Sequence, residues 1–307
     1  MLTERTENID PITIACQTWL FLLRHEIRST GLQIAYLKHH NLRSNKPIVT
    51  PGGPVVSVTS FGERLQTVYL ALESIACGFV LPSRLILWIS KEEAPCCEMP
   101  CLRRLSERGL EIRLCDDLGP HKKYYPYLSL ILGETFDSNL ITADDDVVYS
   151  RWWLSGFVNK NREDPNTILC YRAHRMQMTG SAISRYATWN PCRTTRASFL
   201  NFATGASGCL YPAPFLGDLK RAGSGFMELC PRADDVWLHV NAVRARYKIK
   251  QIFRRPLRFP SIPGTQTGAL FETNHLSGQN DVQIANTYGR EDVEILIAEN
   301  RADRSAC

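Results

Sequence analysis

The chain has 307 residues, 44% of them hydrophobic, with a formal net charge of +5 and a pI near 8.6. That is enough apolar sequence to bury a large core, which excludes a disordered or fibrous protein, and the mild charge excess excludes a dedicated nucleic-acid binder with its clustered basic surface. The 11 cysteines lack the paired spacing of a zinc site and read as free thiols in a reducing cytoplasm.

Asp10-Pro11 reads as an N-cap followed by a proline in the first turn, opening a helix through Trp19, Leu22, Leu23 and Ile27. The apolar run is too short to span a bilayer, which needs roughly 20 apolar residues, and it carries no signal-peptide pattern. Arg24, His25, Arg28, Lys38, Arg43 and Lys46 make this stretch basic, so it either packs on its own domain or lies peripherally on an anionic membrane. Pro51-Gly52-Gly53-Pro54 marks a boundary, so residues 1–52 are expected to be a helical extension and residues 53–307 the main domain.

Val55–Thr59 has strand composition, and Leu65, Val68, Leu72 and Ile75 follow it at helical spacing. Strands are predicted again at Arg84–Ser90 and Leu110–Leu114, with a short helix over Leu102–Arg108 between them, and His121–Tyr125 opens a further helix. Leu140–Ala143 then delivers Asp144, Asp145 and Asp146. Strands alternating with helices predict a mostly parallel sheet flanked by helices, whose ligands collect at the strands' carboxyl ends, where Thr59, Asp117 and Asp144 fall. Three adjacent carboxylates repel one another; without nearby Cys or His they suit Mg²⁺ or Mn²⁺, or else form a solvated acidic turn.

A helix is predicted over Trp152–Asn161 and a strand over Ile168–Tyr171. Residues 176–202 show no steady period and read as a substrate-binding loop. The small residues of Thr204–Pro212 permit close backbone approach to a ligand but lack the Lys-Ser/Thr of a nucleotide phosphate loop. Asp234 and Asp235 open a helix, where acidic residues serve either as helix-dipole partners or as a catalytic base.

Four stretches in order, Val56–Arg64, Lys122–Tyr125, Thr142–Asp146 and Ala233–Trp237, resemble the GT-A-type nucleotide-sugar glycosyltransferases, bacterial family 2-like. The resemblance implies a GT-A-like, Rossmann-related α/β fold with a donor half at about 53–150 and an acceptor half at about 151–307. It implies a metal motif in which Asp146 and Asp144 meet Mn²⁺ or Mg²⁺, with Asp144 or Asp145 also near the nucleotide ribose and His275 as a downstream ligand. Thr59 and Arg64 would line the nucleotide pocket, Lys122 or Lys123 would face the diphosphate, and Asp235, paired with Asp234, would be the general base. The implied activity is non-processive, inverting transfer from a UDP- or GDP-sugar to a glycan, lipid-linked glycan or glycolipid, in cell-surface polysaccharide biosynthesis. The expected place is the cytoplasm, peripheral at the inner face of the plasma membrane.

The pattern is not followed throughout. Many inverting relatives have Glu-Asp where this chain has Asp234-Asp235, and the Gln-x-x-Arg-Trp motif of processive synthases ends here in Arg255. The rival readings are a Mg²⁺-dependent phosphotransferase or phosphohydrolase, whose Asp-x-Asp-x-Thr/Val pattern Asp144–Val148 meets only loosely, and a non-catalytic carbohydrate-binding protein of the same fold.

Overall fold

A computed structural model describes residues 29–130, 137–265 and 278–305. The helix expected from Asp10 to Ile27 and the residue His275 lie outside them. The elements in chain order begin with α1 (residues 29–43), β1 (Val55–Thr59), α2 (Val68–Ala76), β2 (Arg84–Ser90), α3 (Pro100–Ser106) and β3 (Leu110–Cys115). They continue with α4 (Tyr125–Leu130), β4 (Leu140–Ala143), α5 (Trp153–Glu163) and β5 (Ile168–Cys170). Short strands follow at β6 (Ala173–Arg175), β7 (Met178–Thr179), β8 (Ala182–Ile183), β9 (Asn190–Pro191), β10 (Asn201–Ala203) and β11 (Cys209–Tyr211). The chain closes with α6 (Ala213–Ala222), α7 (Phe226–Leu229), α8 (Asp234–Arg244), β12 (Ile249–Gln251), α9 (Gln279–Thr287) and α10 (Arg290–Ser305).

Seven strands form the central sheet in the order β12-β5-β11-β4-β1-β2-β3. All neighbours are parallel except β11, which runs antiparallel between β4 and β5. This is the mixed α/β architecture, with a mostly parallel sheet flanked by helices, that the alternation of elements predicts. The chain winds outward from β1 through β2 to β3 and then returns to place β4 on the other side of β1. The order therefore reverses between β1 and β4, and such a switch point opens a crevice beyond the strands' carboxyl ends.

Both faces of β1 are covered, and its residues alternate between two cores as the two-residue period of a strand requires. Val55 joins the layer containing Trp88, Tyr124, Leu140, Phe215 and Trp237, and Val56 and Val58 join Leu72, Leu87, Ile141, Phe157 and Leu210 on the opposite face. Ser57, fully buried in the middle of this strand, accepts a hydrogen bond from Trp88 Nε1 at 2.9 Å and donates one to the Lys123 carbonyl at 2.6 Å. A polar residue in a buried strand thus fixes the turn that presents Lys123.

Several element ends differ from expectation. The helix expected at Leu102–Arg108 begins two residues earlier at Pro100, a proline tolerated in a first helical turn. The stretch expected to open a helix at His121 instead forms a 3₁₀ turn over Gly119–Lys123 before α4. Residues 176–202 contain β7 paired with β8, and β9 and the start of β10, both of which pair with β6 just before the stretch; strands of two or three residues are too short for a period to be read.

Helix α1 packs onto the domain. Glu73 of α2, fully buried, receives Arg108 Nη1 at 2.5 Å, Asn41 Nδ2 at 2.9 Å and His40 Nδ1 at 2.8 Å. Leu37 and Ile48 are buried beside this knot. Replacing Glu73 by Ala leaves the Arg108 guanidinium buried without its partner, and urea unfolding is expected to show a loss of about 3–5 kcal/mol.

Candidate functional site

Asp144 is the first residue beyond β4, and its loop is closed on itself and on a second segment. Asp144 N–H donates to the Tyr149 hydroxyl at 2.7 Å, Ile262 N–H to the Asp146 carbonyl at 2.7 Å, and Val148 N–H to the Pro260 carbonyl at 2.8 Å. The loop brings Asp144 to one cationic side chain and Asp145 and Asp146 to another. Buried Asp145 turns towards β1, accepting from Ser60 Oγ at 2.6 Å and from Arg64 Nη1 at 3.1 Å. Arg64 also stands 3.5 Å from Asp146. Asp144 pairs with the Lys123 ammonium. Burial, and then the charges of Asp144 and Asp145, push the Asp146 carboxyl up to about 6; burial likewise raises Asp145 despite its partners.

The second acidic pair arrives from α8. Asp235 Oδ1 accepts the Gly205 N–H at 2.8 Å. A Cβ on Gly205 would lie 3.2 Å from that oxygen, 3.7 Å from Lys123 Nζ and 4.0 Å from Asp234 Oδ2, so the glycine lets the backbone come between these charges. Beyond it the loop holds Ser207 at φ 77° and Gly208 at φ 98°, the latter with Trp153 against its Cα, where a side chain has no room.

Lys123 joins the two clusters. Burial disfavours its charge, but Asp144, Asp234 and Asp235 outweigh that cost and hold the ammonium protonated well above its usual range. In return Lys123 restrains the Asp234 carboxyl, which burial raises. Asp235 stands well above the usual carboxylate range, through burial first and the adjacent Asp234 charge second. One ammonium facing three carboxylates leaves the site short of positive charge.

The donor set fits a hard divalent cation held by one or two protein carboxylates and completed by substrate phosphates, the usual manner of Mg²⁺ and Mn²⁺. It does not fit an all-protein cage, because Asp145 is occupied by Ser60 and Arg64. His40, Glu73 and Cys77 also bring ligand atoms within 4.8 Å of one another, but Glu73 there is already taken up by Arg108 and Asn41.

Among the sequence-predicted residues, Arg64, Lys123, Asp144, Asp145, Asp146, Asp234 and Asp235 are brought together. Thr59 sits at the same strand end, its hydroxyl bonded to the Trp88 carbonyl at 3.1 Å. Lys122 turns the other way, buried against Ser90 Oγ at 2.6 Å and Asp117 at 2.8 Å. Ser60, Tyr149 and Gly205 join the site without having been singled out for it. The glycine did leave a signal, the small-residue run of Thr204–Pro212; the serine and tyrosine left none, since their roles depend on partners 85 and 5 residues away.

No family model and no curated protein matches the sequence. Among solved structures, the chain is similar to S. aureus TarS 1-349, at 12% identity and a TM-score of 0.44 over 79% of this chain and 69% of that one. The same protein in complex with UDP gives 12% identity and a TM-score of 0.46 over 80% and 69%. The mannosyltransferase PcManGT from Pyrobaculum calidifontis, in complex with GDP-Man and Mn²⁺, gives 13% identity and a TM-score of 0.44 over 94% and 86%. These likenesses are weak, and the chemistry of the site is read from its own residues.

Lys123→Met leaves three carboxylates facing one another in a buried place, so metal-free protein is expected to lose about 3–5 kcal/mol in urea unfolding. In the Lys123→Met/Asp144→Asn double variant part of that loss should return; strictly additive costs would show that the two groups do not interact.

Proposed function

We propose that this chain transfers a sugar from a nucleoside-diphosphate sugar to a hydroxyl acceptor, with Mn²⁺ or Mg²⁺ as cofactor, on a GT-A-type scaffold of the family 2-like kind. The single observation that carries this reading is the meeting, at the carboxyl edge of the sheet, of two carboxylate groups from distant elements around Lys123 and Gly205. One group lies at the switch point between β1 and β4, and the other at the start of α8. Glycosyl transfer needs this division, a place for the departing diphosphate and a separate carboxylate for the acceptor's proton.

In this mechanism Asp146 and Asp144 would hold the cation, and Arg64 adds a positive charge beside the diphosphate. The cation, when bound, offsets the negative charge that builds on the leaving group. Thr59 and Asp145 shape the nucleotide side, Asp145 mainly by fixing Arg64. On the other side the Asp235 carboxylate takes the proton of the acceptor hydroxyl as its oxygen attacks the anomeric carbon and the bond to the diphosphate breaks, with inversion. Gly205 N–H fixes the orientation of that carboxylate, and Lys123 works against the upward push that burial, Asp234 and Asp144 exert on it. The acceptor is a glycan, lipid-linked glycan or glycolipid. No helix among the described residues is long and apolar enough to cross a membrane. Leu32, Tyr36 and Leu42 are exposed on α1, which supports peripheral contact with a membrane at its cytoplasmic face.

Two measurements test the reading. Calorimetry with UDP and GDP in Mn²⁺ should show tight binding to the wild type and at least a tenfold loss in Asp146→Asn, because the diphosphate is held through the metal; unchanged binding rejects the metal role. In single-turnover transfer, Asp235→Asn should lose roughly 10²–10⁴-fold in rate with donor affinity retained. A base works only when deprotonated, so with a carboxyl raised above its ordinary range the wild-type rate should climb with pH through that raised value. Removing the like charge in Asp234→Asn should move the climb to lower pH, whereas a matching loss of rate in both variants with no shift defeats the assignment.

A further inference from the structure

The carboxyl ends of β5 and β12 lie on the same sheet edge as that of β4, because both strands run parallel to it across antiparallel β11. Beyond them come Arg172 on one segment and Arg254, Arg255 and Arg258 on the other. Leu257 N–H donates to the Tyr171 carbonyl at 2.9 Å, so Arg172 and Arg258, each one residue further on, leave the edge side by side. Ser207 Oγ clamps the Leu257 carbonyl at 2.9 Å, and Thr204 N–H holds the Arg172 carbonyl at 3.1 Å. The loop that carries Gly205 to Asp235 therefore also fixes the backbone under both arginines.

Arg172 is half-buried, its Nη2 3.4 Å from His174 Nε2, while Arg258 is exposed. Burial and then the Arg258 charge push the Arg172 guanidinium below its usual range, with Tyr186, Asp235 and Asp144 acting against them. Among the described residues, neither Arg172 nor Arg258 forms an ion pair with a carboxylate, nor do the exposed Arg254 and Arg255. Like charges set together with no carboxylate paired to them favour an anion between them.

We propose that Arg172 and Arg258 form an oxyanion subsite that takes a phosphate ester on the sugar acceptor; this rests on the transfer reading above. Two guanidiniums offer more N–H donors than one carboxylate can accept and suit a phosphate, which takes bonds from several directions. Two interstrand spacings, about 10 Å, separate β5 from β4, and Asp235 and Asp144 both act on the Arg172 charge, so the pair stands beside the carboxylate site on the β5 side of the edge. The exposed rings of Trp152 and Phe253, 5.9 Å apart between centroids, flank the same edge and offer an apolar surface to the rest of the acceptor.

The test uses the full chain without nucleotide. Calorimetry with glycerol 3-phosphate probes a soluble phosphate ester, and co-sedimentation with phosphatidylcholine vesicles containing phosphatidic acid probes a lipid headgroup. Arg258→Gln, at an exposed position, and Arg172→Gln should each weaken at least one arm roughly tenfold. Arg290→Gln, which removes the same charge from an exposed position on α10, should leave both arms unchanged. The arm that responds names the source of the phosphate. Equal binding by wild type and Arg258→Gln in both arms, or equal weakening by Arg290→Gln, overturns the subsite. UDP and GDP binding by the wild type, measured separately, decides the transfer reading, so the two failures are distinguishable.

Discussion

The ammonium of Lys123 is the charge on which the site depends. It lies against Asp144 from β4 and within reach of Asp234 and Asp235 from α8, elements about 90 residues apart in sequence. Without it three carboxylates would share one half-buried space, a crowding that forces protons onto some of them. Its own position is fixed from beneath by Ser57, whose hydroxyl bonds the Lys123 carbonyl from inside the central strand. The chain of dependence thus runs from one buried serine, through a 3₁₀ turn, to the protonation of both acidic groups.

A second ionic arrangement divides the labour. Arg64 and Ser60 occupy Asp145, while Asp144 pairs with Lys123 and Asp146 stands 3.5 Å from Arg64, so the three adjacent acids are shared between two cationic side chains. The segment Pro260–Ile262 bonds the same loop from outside, so the Asp cluster is held from both the strand and the later half of the chain.

The same backbone ties serve more than one group. The Thr204–Gly208 loop presents an N–H to Asp235, takes the Trp153 indole N–H on the Ser207 carbonyl at 2.8 Å, and braces the segments carrying Arg172 and Arg258. Glycines at 205 and 208 allow the close approach this needs, and Ser207 adopts a left-handed conformation between them. One short loop thus bonds both the carboxylate side and the arginine side of the edge.

Sequence alone determined the local elements and the chemistry that sits at their ends. Val55–Thr59 and Arg84–Ser90 are apolar and bounded by turn residues, so their composition specified them, and the three Asp residues after Leu140–Ala143 announced an acidic cluster at a strand's carboxyl end. The tertiary structure alone decided the partner of each carboxylate, since Asp144, Asp145 and Asp146 are adjacent in sequence but Asp144 pairs with Lys123 while Asp145 and Asp146 share Arg64. It also decided that Lys122 and Lys123, neighbours of identical chemistry, part company, one to Ser90 and Asp117 and the other to Asp144. The antiparallel β11 and the small ladders after β5 are pieces of two or three residues fixed by pairing, and a pattern that short carries no period. Local propensity acts over a few residues, whereas electrostatic partnership acts through space, and that is why the acids were legible and their partners were not.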